Sequence, residues 1–355
     1  MKLTPRCLLV LALSLGACAH HTPSVAPATG RIILAAGGSE MKDPFGVALD
    51  RGGNLFIVEE EANRVLRMDG QGHIEPFAGT GVKGDGGDGG PARAAVLNNP
   101  HHVAFAPGNL DDLLIADTLN GRVRRVDHLT GVITTIAGTT KGFGGDGGPA
   151  TQAQFANVFC MAFDKTGTKM YLADTNNRRV RSVDLRTGVT ATEAGNGEKG
   201  VPVDGADARQ SPLLDPRAIA VDSQGNLYIA ERNGHALRVV DRAGKIRTVA
   251  GTGEKGFSGD GGPARAARMD GPKHLGIDLE DNVLIVDTEN HVIRKYQPRD
   301  GLIVRVAGSG VRGPDGVGGP PEAVQMDRPH GAYVDASGAI YISDSGNHRV
   351  LKLVR

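Results

Sequence analysis

This 355-residue sequence predicts an all-β fold in which six small sheets close into a ring. Three observations carry that expectation. A pattern of short apolar runs separated by Gly, Asn and Asp turns recurs six times, from Asp43, Asn99, Asn157, Asp215, Gly271 and Arg328, so successive starts lie 56, 58, 58, 56 and 57 residues apart. Glycine supplies 52 residues, a content that suits a chain of many tight turns. Finally, only five closing strands follow the six units, and a sixth strand-like segment, Arg31 to Gly37, stands ahead of the first. A period this long, built from strands and turns, reads as one four-stranded sheet per repeat, a six-bladed β-propeller.

Each unit holds three strands, which in the first are "GVALD", "NLFIV" and "RVLRMD". The fourth strands are "HIEPFAG" (73–79), "VITTIAG" (132–138), "VTATEAG" (189–195), "KIRTVAG" (245–251) and "LIVRVAG" (302–308). The sixth unit reaches Arg355 on its third strand, so "RIILAAG" (31–37) is assigned as its fourth. The N-terminal strand then completes the last blade, and the ring 31–355 closes without a free sheet edge.

The turns between second and third strands carry a D-x-x-N-x-R-V pattern: Asp117, Asn120, Arg122 and Val123; Asp174, Asn177, Arg179 and Val180; Asp344, Asn347, Arg349 and Val350. These turns resemble NHL repeats, and the resemblance covers essentially all of residues 31–355. Three units depart from it. Glu59 and Arg64 keep the two ends of the pattern in the first, whereas Glu231 and Asp287 keep only the acid in the fourth and fifth. An acid and an Asn can bond the backbone of a turn while the Arg pairs with the acid. Six similar acids in six blades therefore read as a structural device rather than as catalytic carboxylates.

Between blades lie glycine-rich inserts, four of which contain GxGxxG, starting at Gly79, Gly195, Gly251 and Gly308. A dinucleotide fingerprint must follow a parallel strand and open a helix, and these stretches instead recur between an outer strand and the next inner one. "GDGGDGG" (84–90) and "GGDGG" (144–148) set carboxylates beside exposed carbonyls, as a weak calcium site would. The architectural reading is that Gly permits positive φ and that Pro91, Pro149 and Pro263 open short helical turns. Inserts of this length are expected to build up one face of the disc around the channel.

The first 18 residues read as a lipoprotein-type signal: a basic start at Lys2 and Arg6, an apolar run from Cys7 to Ala17, then Cys18. "LGAC" at Leu15 to Cys18 resembles a bacterial lipobox, which implies a lipid on Cys18, export, and a periplasmic location with the outer membrane favoured. Residues 19–30 read as a flexible tether. Removal of Cys7 and lipidation of Cys18 would leave Cys160, in the apolar "FCMAF", as a core thiol without a disulfide partner. Forty basic residues balance forty acidic ones, aromatics are 4 % and Trp is absent, so nucleic acid is not an expected partner.

A ligand is expected where the inner strands open onto the axial channel. Counting from the Pro that begins each inner strand places Phe45, His101, Val158, Arg217, Lys273 and His330 on the rim, with His102 and His274 adjacent. This set would attract a carboxylate or phosphate by charge-assisted hydrogen bonds. "PHHV" and "PHGA" also resemble the Pro-His strand starts of peptidylglycine α-hydroxyglycine lyases, six-bladed NHL-like enzymes. That resemblance implies zinc on His101 and His330, but those enzymes use three such histidines. His274 or a rim acid would have to supply the third ligand. The expected function is thus a monomeric binding module for a protein, a cell-envelope component or a small anion, with zinc or calcium as possible metals. The alternative is a metal-dependent lyase or lactonase-like hydrolase at the channel.

Overall fold

A computed structural model describes residues 29–39, 41–106 and 111–355. The lipobox, Cys18 and most of the tether therefore lie outside the described residues. Within them the chain forms six antiparallel sheets arranged as a β-propeller. Blade 1 comprises Pro44–Leu49, Leu55–Glu59, Arg64–Met68 and Ile74–Ala78. Blade 2 comprises His102–Phe105, Leu113–Asp117, Arg122–Val126 and Ile133–Ala137. Blade 3 comprises Val158–Phe163, Lys169–Asp174, Arg179–Asp184 and Thr190–Ala194. Blade 4 comprises Pro216–Val221, Leu227–Glu231, Ala236–Val240 and Lys245–Ala250. Blade 5 comprises Pro272–Ile277, Val283–Asp287, Val292–Gln297 and Leu302–Ala307. Blade 6 takes Gly331–Val334, Ile340–Asp344 and Arg349–Val354 from the C-terminal end and Arg31–Gly37 from the N-terminal end.

The closing strand pairs antiparallel with Arg349–Val354, from Arg31 opposite Val354 to Gly37 opposite Arg349. The last insert locks it from the other side: Ile32 N donates to Gly319 O at 3.1 Å, and Gly318 N to Ile32 O at 2.7 Å. The same lock recurs around the ring. Pro91 bridges to Val132 and Pro149 to Val189, and Gly262–Pro263 pairs with Leu302–Ile303. Each insert thus leaves one blade, clips onto the outer strand of the next, and turns inward through a 3-10 turn opened, as expected, at Pro91, Pro149 and Pro263. Gly87, Gly145 and Gly259 have φ of +97°, +88° and +92°, and a Cβ there would lie 2.6 to 2.7 Å from the Cα of Ala95, Ala153 and Ala267. Only glycine lets the insert fold flat on itself.

The apolar core lies between adjacent blades. Val58, Val65 and Ala78 of blade 1 pack with Val103, Leu113 and Ile115 of blade 2, and Leu114 and Ala116 on the other face of blade 2 pack with Met161, Met170 and Leu172 of blade 3.

A buried acid ends every second strand. Glu59, Asp117, Asp174, Glu231, Asp287 and Asp344 are all 0 % exposed. Their carboxylates accept the backbone N–H of Lys42, Asn98, Ala156, Leu214, Asp270 and Asp327, just ahead of the same blade's inner strand, at 2.5 to 2.8 Å. In four blades an Asn ties this acid to the glycine insert: Asn120, Asn177, Asn290 and Asn347 donate both to the acid and to the carbonyls of Gly84, Gly142, Gly256 and Gly313. The fifth repeat is therefore more complete than its sequence reads, because Asn290 fills the Asn position at 2.9 Å from Asp287.

Arg124, Arg181 and Arg294, fully buried, reach from the blade into the insert and hold Asp88, Asp146 and Asp260 at 2.7, 2.5 and 2.7 Å. A calcium ion there would have to displace a buried guanidinium from its carboxylate. The Asp-Gly stretches are clamps, with the carboxylates of Asp88, Asp146 and Asp260 already engaged.

Two outcomes follow. Deleting residues 31–38 unpairs both Arg349–Val354 and the last insert, so the melting temperature measured by calorimetry should fall sharply; an unchanged value would refute the closure. Asp344→Ala strands Arg349 and the Asp327 amide, and urea denaturation should show a loss of about 3–5 kcal/mol, the usual cost of leaving a buried ionic partner alone.

Candidate functional site at the channel mouth

The inner strands touch their neighbours in chain order and the last touches the first, so their starts encircle one opening. Pro44, Val158, Pro216 and Pro272 pair with the buried acids Glu59, Asp174, Glu231 and Asp287. The next residue, at an irregularity in the register, faces the mouth. This corrects one expected position. Val158 stands where the other blades have Pro and is 0 % exposed, and Phe159 is the rim residue of blade 3. Counting from a proline that blade 3 lacks shifts its register by one.

The six rim side chains form a continuous belt. Lys273 Nζ lies 3.2 Å from His330 Nε2, and the His330 ring stacks on Phe45 with centroids 4.0 Å apart. Phe45 meets His101 edge to face at 4.9 Å, and His101 meets Phe159 at 4.7 Å. The guanidinium of Arg217 lies over the Phe159 ring, 3.7 Å from its centroid, a cation–π contact.

Burial holds His101, His274 and His330 well below the ordinary imidazole range and His102 down at about 4. All four rings are neutral at neutral pH, so the expected charge assistance does not come from them. It rests on Lys273 and Arg217. Lys273 is already paired with Glu289 at 2.8 Å. Arg217 is 6 % exposed, and burial brings it down to about 9, so it stays charged at neutral pH. Among the described residues its buried Nε has no acceptor. Asp215, on the same blade, bonds Arg232 at 2.9 Å and Asn233 at 2.7 Å instead.

Below the rim, His102, His274 and Cys160 come together, with one nitrogen of each ring and Cys160 Sγ all within 4.8 Å of one another. Cys160 is buried as expected, but it faces this layer; it holds in blade 3 the place that His102 and His274 hold in blades 2 and 5. Alignment without a required proline would have shown it. The backbone N–H groups of Met161 and Ala332 donate to Nδ1 of His102 and His274 at 3.3 Å, which leaves each neutral ring its proton on Nε2. Burial pushes the Cys160 thiol up to about 11. The trio has the spacing of a metal site, but with backbone amides donating to Nδ1 of both rings, His102 and His274 turn N–H groups rather than lone pairs toward Cys160. The His101 and His330 pair fits no better. Lys273 donates to Nε2 of His330, whereas His101 donates its Nδ1 proton to the Asn99 carbonyl at 2.8 Å and keeps the Nε2 lone pair, so this pair offers a metal one free imidazole nitrogen rather than two.

Residues 149–258 match the Teneurin NHL domain model and residues 326–353 the NHL repeat model. The chain is 27 % identical over 322 residues to the chloroplastic protein SUPPRESSOR OF QUENCHING 1 of Arabidopsis thaliana, covering 87 % of this chain and 30 % of that protein. It is 28 % identical over 166 residues to NHL repeat-containing protein 2 of Gallus gallus, covering 42 % and 23 %. The chain thus spans less than a third of the length of either relative. Among solved structures, an auxiliary nutrient binding protein from Bacteroides thetaiotaomicron superposes with a TM-score of 0.64 at 17 % identity, over 92 % of this chain and 76 % of that one. Virginiamycin B lyase from Staphylococcus aureus superposes with a TM-score of 0.55 at 10 % identity, over 92 % and 100 %. With the repeat matches and the six blades together, this chain is an NHL-repeat β-propeller.

In a form starting at residue 22, which contains Cys160 alone, the thiol should resist iodoacetamide at pH 8 and label only after unfolding, as mass spectrometry would show. Rapid labelling of folded protein would refute its burial and raised pKa.

Proposed function

We propose that this protein is an exported, lipid-anchored binding module that holds a small anionic ligand at the mouth of its channel. One observation supports this above the rest. A buried arginine whose Nε has no acceptor is costly to keep, and Arg217 stands at the mouth stacked on Phe159. A carboxylate or phosphate entering the mouth would supply the missing acceptor, and neutral rings on either side would shield that pair from water. The name of the Bacteroides neighbour, a nutrient binding protein, agrees with a binding role, and the Leu15 to Cys18 lipobox with an exported one. Lys273 on His330 and the backbone amides on His102 and His274 leave fewer than the three imidazole lone pairs that the lyase-type zinc site would use, so the lyase or hydrolase reading gains little support from the site.

The test is calorimetric titration of the form starting at residue 22 with small carboxylates and inorganic phosphate. An anion that binds wild type should bind Arg217→Ala at least about tenfold more weakly, the equivalent of about 1.4 kcal/mol. Equal affinity would overturn the assignment. Separately, Cys18→Ser in the full chain should move the protein from the membrane to the soluble fraction; continued membrane association with normal export would refute the anchor.

A further inference from the structure

The residue after each buried acid belongs to the scaffold in most blades. It is Thr118, Thr175, Thr288 and Ser345 in blades 2, 3, 5 and 6, all buried. Thr118, Thr175 and Ser345 donate their hydroxyls to the following blade's inner strand, at Val158 O (2.8 Å), Pro216 O (2.7 Å) and Pro44 O (2.5 Å). Blades 1 and 4 alone break this rule, with Glu60 and Arg232. In a ring of six, blades 1 and 4 are three places apart in either direction and so face each other across the mouth. Two scaffold hydroxyls have been exchanged for charges of opposite sign on opposite sides of one opening.

The neighbours of each exception extend the contrast. Beside Glu60 stand Asp43 and Glu61. Among the described residues no Lys or Arg forms an ion pair with Asp43 or Glu60; Asn99 Nδ2 donates to Glu60 at 2.5 Å, and Arg328, whose charge acts on Asp43, is paired with Glu289 at 3.1 Å. Burial first, then the charges of Glu60 and Glu61 and a side-chain hydrogen bond with Glu60, push Asp43 up to about 7 against the smaller pull of Arg328, the behaviour of two acids that share a proton. Beside Arg232 stands Arg217, the guanidinium lacking an acceptor at Nε. Glu60 is close enough to Arg217 for its charge to act on it. Between the two poles the wall is Phe45, Phe159 and the neutral His101 ring.

We infer that the mouth selects a zwitterion, such as an amino acid or a short peptide, placing its carboxylate on Arg217 and its ammonium on Glu60 and Asp43. This rests on the anion-binding reading above and adds the second pole. Each end of such a ligand supplies what one side of the mouth lacks, and the ring-lined wall accommodates the uncharged part between. Specificity then comes from an unmet charge at either end, because a ligand lacking one end leaves a partly buried ion without its partner.

The test is titration calorimetry of the wild-type form starting at residue 22 with glycylglycine, β-alanine and γ-aminobutyrate. Each is compared with its N-acetylated form, which lacks the ammonium, and its amide, which lacks the carboxylate. At least one free zwitterion should bind about tenfold or more tightly than both of its blocked forms. Glu60→Gln and, independently, Asp43→Asn should shrink the advantage over the N-acetylated form while leaving that form's own affinity within about twofold, and Arg217→Ala should remove binding of both. Melting temperatures of the variants identify any that fail to fold, and the wild-type comparison needs none of them. Equal binding of the free and N-acetylated forms would overturn the zwitterion and leave the anion site standing. Binding of the amides alone would overturn both, and binding of nothing in the panel would overturn the zwitterion while the titration with carboxylates and phosphate decides the anion site.

Discussion

The buried carboxylate at the end of each second strand is the constraint on which the rest of the propeller depends. It accepts the amide just ahead of the inner strand of its own blade, and so decides where that strand starts and which residue faces the channel. In most blades it also anchors the turn through an Asn, and in most it sits beside an Arg, buried or half-buried. An isolated ion at such depth would be intolerable. Burial pushes Asp174 and Asp287 up to about 6, and the amide, the Asn and the Arg each pull in the opposite direction. These partners come from three successive stretches of chain, so the insert, the strand start and the turn are held as one unit.

This arrangement also places the candidate site on the built-up face. Strand starts, turns and inserts all lie at the same end of the blades, because each strand reverses the last. The belt running from Lys273 through His330, Phe45, His101 and Phe159 to Arg217 is thus held by six copies of one device. The side chains in it are free to differ while the backbone beneath them repeats. That division of labour lets a repeat protein carry an asymmetric site: the scaffold positions answer to the fold and leave the exceptions free of it.

Much of the fold was legible in the sequence because propeller repeats are local. Six starts at near-constant spacing, four strands per period and one displaced strand at Arg31 to Gly37 suffice to deduce the blade count and the closure. The inserts were legible too, since Pro91, Pro149 and Pro263 after glycine runs can do little but turn. The misreadings were local as well. Spacing alone puts Val158 on the rim because blade 3 has no proline from which to count, and it hides Asn290 because Val292 stands where the pattern has its arginine.

What the sequence determined by itself was periodicity: the number of sheets, their order, the closing strand and, except in blade 3, the residues at the rim. The tertiary structure decided their chemistry. Protonation depends on burial and on partners brought from other blades, so only the folded ring shows that His101, His102, His274 and His330 are neutral. Only the ring shows that Asp88, Asp146 and Asp260 are taken by arginines and that Cys160 faces two imidazoles. Opposition across a channel is likewise invisible along a chain, where Glu60 and Arg232 are far apart, and becomes apparent once six blades close and set blade 1 against blade 4.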